Sequence, residues 1–177
     1  MATQPSQILR PAIVWRPLRA DDLAYVAALE AGIHAAPWTI GNFRDSLAAG
    51  YSTCIGERDG RILVYGVLML APGEAQLLNL SVVPDARRMG LGRALLRRFI
   101  DDARRLGAEQ LFLEVRPSNI AAIALYETER FARVGRRDAY YPPAGPDAPR
   151  EDALVMRRSL EPDPARAVFV DVASGYP

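Results

Sequence analysis

The chain has 177 residues, a length typical of one domain, and 50% of them are hydrophobic while 24% are charged, which excludes a disordered chain. Its 22 basic residues, all arginine, and 21 acidic residues leave a net charge of +1, so no overall attraction for nucleic acid or membrane is expected. One cysteine, Cys54, excludes an internal disulfide framework. The apolar runs are too short for a membrane span or a signal peptide, so a cytoplasmic protein is expected.

The apolar periodicity and the turn residues predict strands and helices in a mixed order. The predicted elements are a strand (12–18), a helix (21–30), a short helix (39–50), a hairpin (51–58 and 61–70), a strand (75–83), a long helix (90–106), a strand (110–116), a helix (118–129) and two closing strands (131–138 and 153–158). Thr39 and Ser118 are the expected N-caps of their helices, and Asp59-Gly60 is the hairpin turn. This order predicts a mixed sheet covered by helices, in the α/β or α+β style.

The two ends of the chain lack this periodicity. Residues 1–11 are expected to be flexible, residues 12–160 to form the domain, and residues 161–177 to form a proline-rich tail. A second proline-rich stretch, residues 142–150, is expected to be the loop between the last two strands.

The run from Arg87 to Ala94 stands between a buried strand and a long amphipathic helix. Such a turn presents free backbone N–H groups at the positive end of a helix dipole, and Gly90 and Gly92 let a phosphate come close. The run therefore predicts an anion site, most naturally for a pyrophosphate, with a plain strand–helix turn as the alternative. A Walker loop is excluded because the chain has no lysine, and a dinucleotide fingerprint because Leu95 replaces its third glycine.

Two further residues are candidates for chemistry. Glu114 interrupts an apolar strand, where a carboxylate faces a polar cleft, pairs with Arg116, or is solvated. Tyr126 lies seven residues after Asn119, two helical turns away, so the two share a helix face. Tyr126 is either a site residue or a core aromatic.

Other candidates are weaker. His34, the single histidine, has no acid or cysteine recognisably near it, so a structural role is expected. Cys54 is expected to be a small buried residue. Trp38 and the pair Tyr140-Tyr141 either line a substrate groove or serve packing.

Taken together, these segments resemble the GNAT family of acetyl-CoA-dependent N-acetyltransferases. The Arg-Arg-Met-Gly-Leu-Gly run resembles the family's acetyl-CoA loop. More narrowly, the chain is similar to bacterial ribosomal-protein-alanine N-acetyltransferases, the RimI type, over residues 12–160. The most specific block is 113–126, and the other resembling segments are 36–39, 78–82, 140–142 and 150–153.

The resemblance implies a GNAT fold, with a mixed, mostly antiparallel sheet of about seven strands and about four flanking helices. It implies acetyl-CoA as cosubstrate and no metal. The implied cofactor-binding residues are Leu80, Ser81, Val82, Arg87, Arg88, Met89, Gly90, Leu91, Gly92, Arg93 and Asn119. Glu114 would be the general base and Tyr126 the general acid, in a direct transfer without an acyl-enzyme. Trp38, Tyr140 and Tyr141 are the expected substrate contacts.

The expected acceptor is the N-terminal α-amine of a protein, with alanine of a small-subunit ribosomal protein as the family substrate. An α-amine has a reference pKa of about 8, against about 10.4 for lysine, so a modest base suffices. A small amine or a lysine side chain is the alternative acceptor. A non-catalytic acetyl-CoA-binding regulatory module is the alternative of a different class. The oligomeric state stays open.

The chain departs from the family pattern at four places. Val83 stands where an aspartate is common, and Glu129-Arg130-Phe131 lacks the usual helix-ending glycine. The loop 142–150 is long and the tail 161–177 is extra. These last two border the expected peptide-binding side, so they bear on the identity of the substrate.

Overall fold

The computed structural model describes residues 12–143 and 148–160. The predicted flexible N-terminus and tail, and residues 144–147 of the predicted loop, lie outside the described residues. The elements are β1 (Val14–Arg16), α1 (Leu23–Ile33), α2 (Ile40–Ala48), β2 (Ser52–Arg58), β3 (Arg61–Ala71), β4 (Glu74–Val82), α3 (Leu91–Arg105), β5 (Gln110–Val115), α4 (Ile120–Thr128), β6 (Ala132–Tyr141) and β7 (Glu151–Ser159). Their order confirms the predicted succession of strands and helices.

All seven strands form one mixed sheet in the order β1-β2-β3-β4-β5-β7-β6. Only β4 and β5 are parallel among these neighbours, because α3 carries the chain back between them. Strand β7 inserts between β5 and β6, so β6 becomes an edge strand. Buried apolar residues form two clusters, one with Phe99 of α3 and Ile123 of α4, the other with Val26 of α1 and Phe43 of α2.

Strands β4 and β5 separate halfway along their length. Leu78 is an extra residue in β4, because Leu77 and Asn79 pair with consecutive residues of β3. Such a bulge bends a strand and increases its twist. The β4–β5 pairing ends where Leu77 lies opposite Leu113. Beyond that point a gap opens between residues 78–82 and the end of β5.

Local signals in the sequence explain where the helices begin. Thr39 caps α2 as predicted, and the side-chain oxygen of Asn42 accepts a second hydrogen bond from the Thr39 N–H. The prediction of Ser118 as the cap of α4 is wrong. Asn119 is the cap, because its side-chain oxygen accepts a hydrogen bond from the Ala122 N–H at 3.2 Å.

The missing helix-ending glycine has a direct structural consequence. Arg130 adopts φ 66°, the left-handed conformation that a glycine takes most easily. The preceding Glu129 is buried and forms ion pairs with Arg93 and Arg97 of α3, at 3.2 and 2.9 Å. The end of α4 is therefore attached to α3 by charge.

A substitution at Gly66 tests how closely α3 packs against the sheet. A Cβ atom at Gly66 would lie 2.6 Å from the Asn79 carbonyl oxygen and 2.8 Å from the Phe99 ring. We expect Gly66→Ala to lower the free energy of unfolding by about 1–3 kcal/mol, since backbone as well as side chain must move. Urea denaturation followed by circular dichroism measures the change.

Gly32→Ala is the matched control for this substitution. Gly32 lies in α1, and a Cβ there meets no atom within 4 Å. Helix propensity then predicts a gain of up to about 1 kcal/mol. Equal effects of the two substitutions would contradict the packing explanation.

Candidate active site

Two cavities meet at the gap between β4 and β5. The first, the sheet-gap cavity, has a volume of about 360 Å³ and is lined by residues that include Glu30, Trp38, Glu114, Tyr126 and Tyr141. The second, the α3 groove, has a volume of about 660 Å³ and lies between β4, the start of α3 and α4. Both are lined by Ile33, His34, Leu80, Ser81 and Asn119. A molecule in the groove can therefore reach one in the cavity.

The α3 groove brings together nearly all the residues predicted to bind a cofactor. The predicted residues in its wall are Leu80, Ser81, Val82, Arg87, Arg88, Gly90, Leu91, Gly92, Arg93 and Asn119. Met89 is the exception, being 39% exposed and outside the described wall of the groove. Arg88 and Gly90 have φ values of 65° and 79°. Left-handed Gly90 directly precedes helical Leu91, and this turn together with the free N–H groups at the start of α3 favours an anion.

Glu114 lies on β5 beside the gap and lines the sheet-gap cavity. Its side chain is 11% exposed, and its Oε1 lies 3.0 Å from Nε of Arg137 on β6. Arg116, which the sequence suggested as a partner of Glu114, pairs with Glu151 instead, with 3.1 Å between its Nη1 and the Glu151 Oε2. The carboxylate is thus held in place by Arg137 while it lines a polar cavity.

Tyr126 lines the same cavity from α4. Its ring is nearly buried and packs against Phe131, with 5.8 Å between the ring centroids. Burial raises the pKa of Tyr126 to about 12. The phenol therefore keeps its proton at neutral and mildly alkaline pH. Asn119 lines the cavity too, as expected from the shared helix face.

The three predicted substrate contacts divide into two groups. Trp38 and Tyr141 line the sheet-gap cavity, whereas Tyr140 is outside its described wall. Tyr140 contacts Glu114 instead, and the hydrogen bond with that carboxylate, followed by burial, raises the pKa of Tyr140. The Arg116 guanidinium lies over the Tyr141 ring, 4.3 Å from its centroid.

Glu151 connects the last hairpin to the start of α4. Its carboxylate accepts a hydrogen bond from the Ser118 N–H at 2.8 Å and pairs with Arg116. Burial acts to raise the pKa of Glu151, but the hydrogen bonds from Ser118 and Arg116 outweigh it and the pKa is lowered. An ionised Glu151 therefore links β7 to the start of α4 in one wall of the sheet-gap cavity.

Sequence reasoning missed Glu30 and assigned His34 a structural role because no acid was recognised near it. The structure places Nε2 of His34 3.6 Å from the Glu30 carboxylate and 2.8 Å from the Ser81 hydroxyl. Both residues line the sheet-gap cavity. The sequence did contain a signal for this pair. Glu30 and His34 are four residues apart, and residues at that spacing in a helix lie on the same face.

Cys54 lies outside the described walls of both cavities. Burial raises the pKa of Cys54 to about 11, so its thiol stays protonated and is a poor nucleophile. In the ranges 12–143 and 148–160, no helix combines the length and apolar character of a membrane span. Nor do three acidic, histidine or cysteine side chains of these ranges come together as metal ligands.

Comparison with known proteins decides the family. Residues 20–130, more than half of the chain, match the model of the acetyltransferase (GNAT) family. The chain belongs to the GNAT family. It is therefore an acyltransferase, and the predicted GNAT resemblance is confirmed. The cosubstrate of GNAT enzymes is acetyl-CoA.

Individual GNAT relatives agree with this assignment. The ribosomal protein bS18-alanine N-acetyltransferase of Escherichia coli K12 is 38% identical over 139 residues, which cover 78% of this chain and 92% of the relative. The crystal structure of the Escherichia coli ribosomal-protein-S18-alanine N-acetyltransferase matches with a TM-score of 0.77 and 36% identity, over 85% of this chain and 96% of that one. The predicted RimI-type similarity and GNAT fold are confirmed.

A second solved structure shares the fold alone. The protein yncA of Salmonella typhimurium, solved with its cofactor acetyl-CoA, matches with a TM-score of 0.70 at 20% identity, over 87% of this chain and 97% of that one.

Proposed function

We propose that this GNAT enzyme acetylates the N-terminal α-amine of a protein, namely alanine at the start of a small-subunit ribosomal protein. One observation carries the proposal: the cavity lined by Glu114 and Tyr126 opens onto the α3 groove at the β4–β5 gap. The choice of acceptor is supported by the 38% identical Escherichia coli relative, whose name specifies alanine of bS18.

The α3 groove suits acetyl-CoA by its chemistry. The N–H groups at the start of α3, with Arg87 and Arg88, would hold the pyrophosphate. The edge of β4 at residues 80–82 faces the gap and offers backbone groups to the amides of the pantetheine arm. When bound, acetyl-CoA supplies the thioester from which the acetyl group is transferred.

The sheet-gap cavity suits a free amine on a small first residue. Its wall includes the small residues Ala35 and Ala36 beside Trp38. Two carboxylates in the wall, Glu30 and Glu114, attract an ammonium group. An extended peptide would continue outward past Tyr141, between α1 and the β6–β7 hairpin.

Glu114 and Tyr126 then have different tasks in proton transfer, one at the nitrogen and one at the sulfur. Glu114 takes a proton from the α-ammonium group, directly or through one water, so that a neutral amine attacks the thioester carbonyl, and nitrogen loses its second proton to water as the amide forms. Backbone N–H groups of residues 80–82 can donate to the carbonyl oxygen as negative charge develops on it. Tyr126 gives its proton to the sulfur as the C–S bond breaks. The half-buried, protonated Cys54 has no part in this sequence, so transfer is direct.

The first test is mass spectrometry of two peptides incubated with the enzyme and acetyl-CoA. One peptide begins with alanine and contains an internal lysine, and the other is the same sequence with a blocked N-terminus. We expect acetylation of the free alanine alone. Acetylation of lysine in both peptides would assign the enzyme to side chains instead. Tight binding of acetyl-CoA without any product would indicate a small-molecule acceptor or a non-catalytic module.

Glu114→Gln tests the general base. It should lower kcat/KM for the alanine peptide by about 10²-fold near pH 6.5 and less at pH 9, where the α-amine is already mostly neutral. Acetyl-CoA affinity, measured by calorimetry, should stay unchanged. The control is Glu127→Gln, on the half-exposed outer side of α4. A full-rate Glu114→Gln enzyme would remove Glu114 from the mechanism.

Tyr126→Phe tests the general acid and has a different pH signature. Because the pKa of Tyr126 is raised to about 12, the phenol is protonated throughout pH 6–9. The expected loss of about 10²-fold in kcat is therefore the same at every pH in that range. The exposed Tyr25→Phe serves as control. Unchanged kinetics in Tyr126→Phe would leave Tyr126 with a packing role only.

A further inference from the structure

A buried carboxylate to which the chemistry above gives no part in proton transfer lies in the wall of the sheet-gap cavity. Glu30 of α1 is 2% exposed. Its oxygens accept hydrogen bonds from the Tyr65 hydroxyl at 2.5 Å, the Asn79 amide at 3.0 Å and the Ser81 hydroxyl at 3.2 Å. The Trp38 N–H adds a fourth hydrogen bond at 3.4 Å, so donors surround the buried carboxyl group.

The negative charge of Glu30 has one candidate cation. Within the described part of the chain, the only basic side chain at ion-pair distance is His34, with Nε2 3.6 Å from Oε2. A buried carboxylate is costly unless hydrogen bonds or a positive charge compensate it. Glu30 is therefore the negative charge that directly faces the His34 imidazole.

His34 is also placed where a proton must be removed. It lines both the sheet-gap cavity and the α3 groove, and so does the Ser81 hydroxyl 2.8 Å from its Nε2. These residues adjoin the point where an amine in the cavity would reach an acetyl group in the groove. Glu114 lies on β5, the other strand of the gap, and is engaged by Arg137.

We propose that His34, stabilised by Glu30, is a second proton acceptor for the amine and acts in parallel with Glu114. The inference rests on the proposed function insofar as the acceptor is an amine. Before the C–N bond forms, a proton of the α-ammonium group passes, directly or through one water, to the unprotonated ring nitrogen of His34. Nitrogen loses its second proton to water as the amide forms, and the sulfur takes one from Tyr126 as the C–S bond breaks, so two protons leave nitrogen, one reaches sulfur, and water returns a proton to Tyr126.

The other charged groups around His34 largely compensate one another. Tyr65 lies behind Glu30 on β3, and the α3 groove adds the arginines of the loop before α3. The remaining titratable groups of the cavity wall are Glu114, Arg116, Tyr126, Tyr141 and Glu151. Glu114 pairs with Arg137 and Arg116 with Glu151. Glu30 is thus the charge in direct contact with the imidazole.

The test is the pH profile of kcat/KM for the alanine peptide in full-length His34→Gln, Glu114→Gln and the double variant. Glutamine can still hydrogen-bond to Ser81 but cannot take up a proton. Because Glu114 remains in His34→Gln, we expect that single variant to lose less than about threefold. Added to Glu114→Gln, the same substitution should cause a further loss of about 10-fold near pH 6.5 and of less than about threefold at pH 9.5, where the α-amine is neutral. The double variant should lose more than the product of the single losses, because each base covers for the other.

Two further variants separate proton transfer from structure. Glu30→Gln keeps the shape of the buried side chain but removes its charge, and in the Glu114→Gln enzyme it should reproduce the pH-dependent loss that His34→Gln causes there. Tyr65→Phe removes one hydrogen bond from Glu30 and leaves its charge and the imidazole intact. It should cause a small loss that is equal at every pH. The KM for acetyl-CoA should be unchanged in all of them.

The outcomes distinguish the two proposals. A further loss from His34→Gln in the Glu114→Gln enzyme that is the same at every pH would show a structural role and overturn the inference. So would a double variant no slower than Glu114→Gln alone. A wild-type enzyme that acetylates only lysine overturns the proposed function, and the same His34 comparison is then made on the lysine amine at correspondingly higher pH.

Discussion

The divergence of β4 from β5 is the constraint on which the rest of the site depends. Parallel strands that stayed paired to their ends would leave no room between residues 78–82 and β5. The bulge at Leu78 bends β4 just where the pairing with β5 ends. The gap then exposes one backbone edge in the interior of the sheet, where both cavities meet. A donor and an acceptor can approach each other there away from bulk water.

The two cavities carry opposite electrostatic character. Arginines and the N-terminus of α3 surround the groove, whereas Glu30 and Glu114 lie in the wall of the sheet-gap cavity. An anionic cosubstrate and a cationic amine are therefore directed to different sides of the gap before they react. Neutralising the amine is the step that lets the two meet productively, and the proposed proton acceptors line the sheet-gap cavity beside this junction.

Much of this arrangement could be read from the sequence because its causes are local. Hydrophobic periodicity, the Thr39 cap and the Asp59-Gly60 turn depend on neighbouring residues, and they predicted the element order well. The anion-binding loop before α3 also depends on local composition. The similarity of the chain to known acetyltransferases then supplied Glu114 and Tyr126, which residue type alone left ambiguous.

The features that escaped prediction are long-range. The partner of Glu114 is Arg137, which reaches it only because β7 inserts between β5 and β6. Glu30 becomes a charged centre only when β3 and β4 bring hydroxyl and amide donors to α1. The cap of α4 was misplaced by one residue because Ser118 and Asn119 both have capping side chains and only the backbone path selects between them.

The ion pairs of Glu129 have a consequence for how the groove keeps its width. Arg93 and Arg97 on α3, together with Arg158 on β7, converge on this nearly buried carboxylate at the end of α4. These ion pairs thus join the two helices that flank the groove at one end. The Glu129 carboxylate at their centre is shielded from solvent. Salt screens such a pair much less than a surface pair. The spacing between the helices should therefore stay the same when the ionic strength rises. The attraction of the groove for a polyanion, in contrast, should weaken.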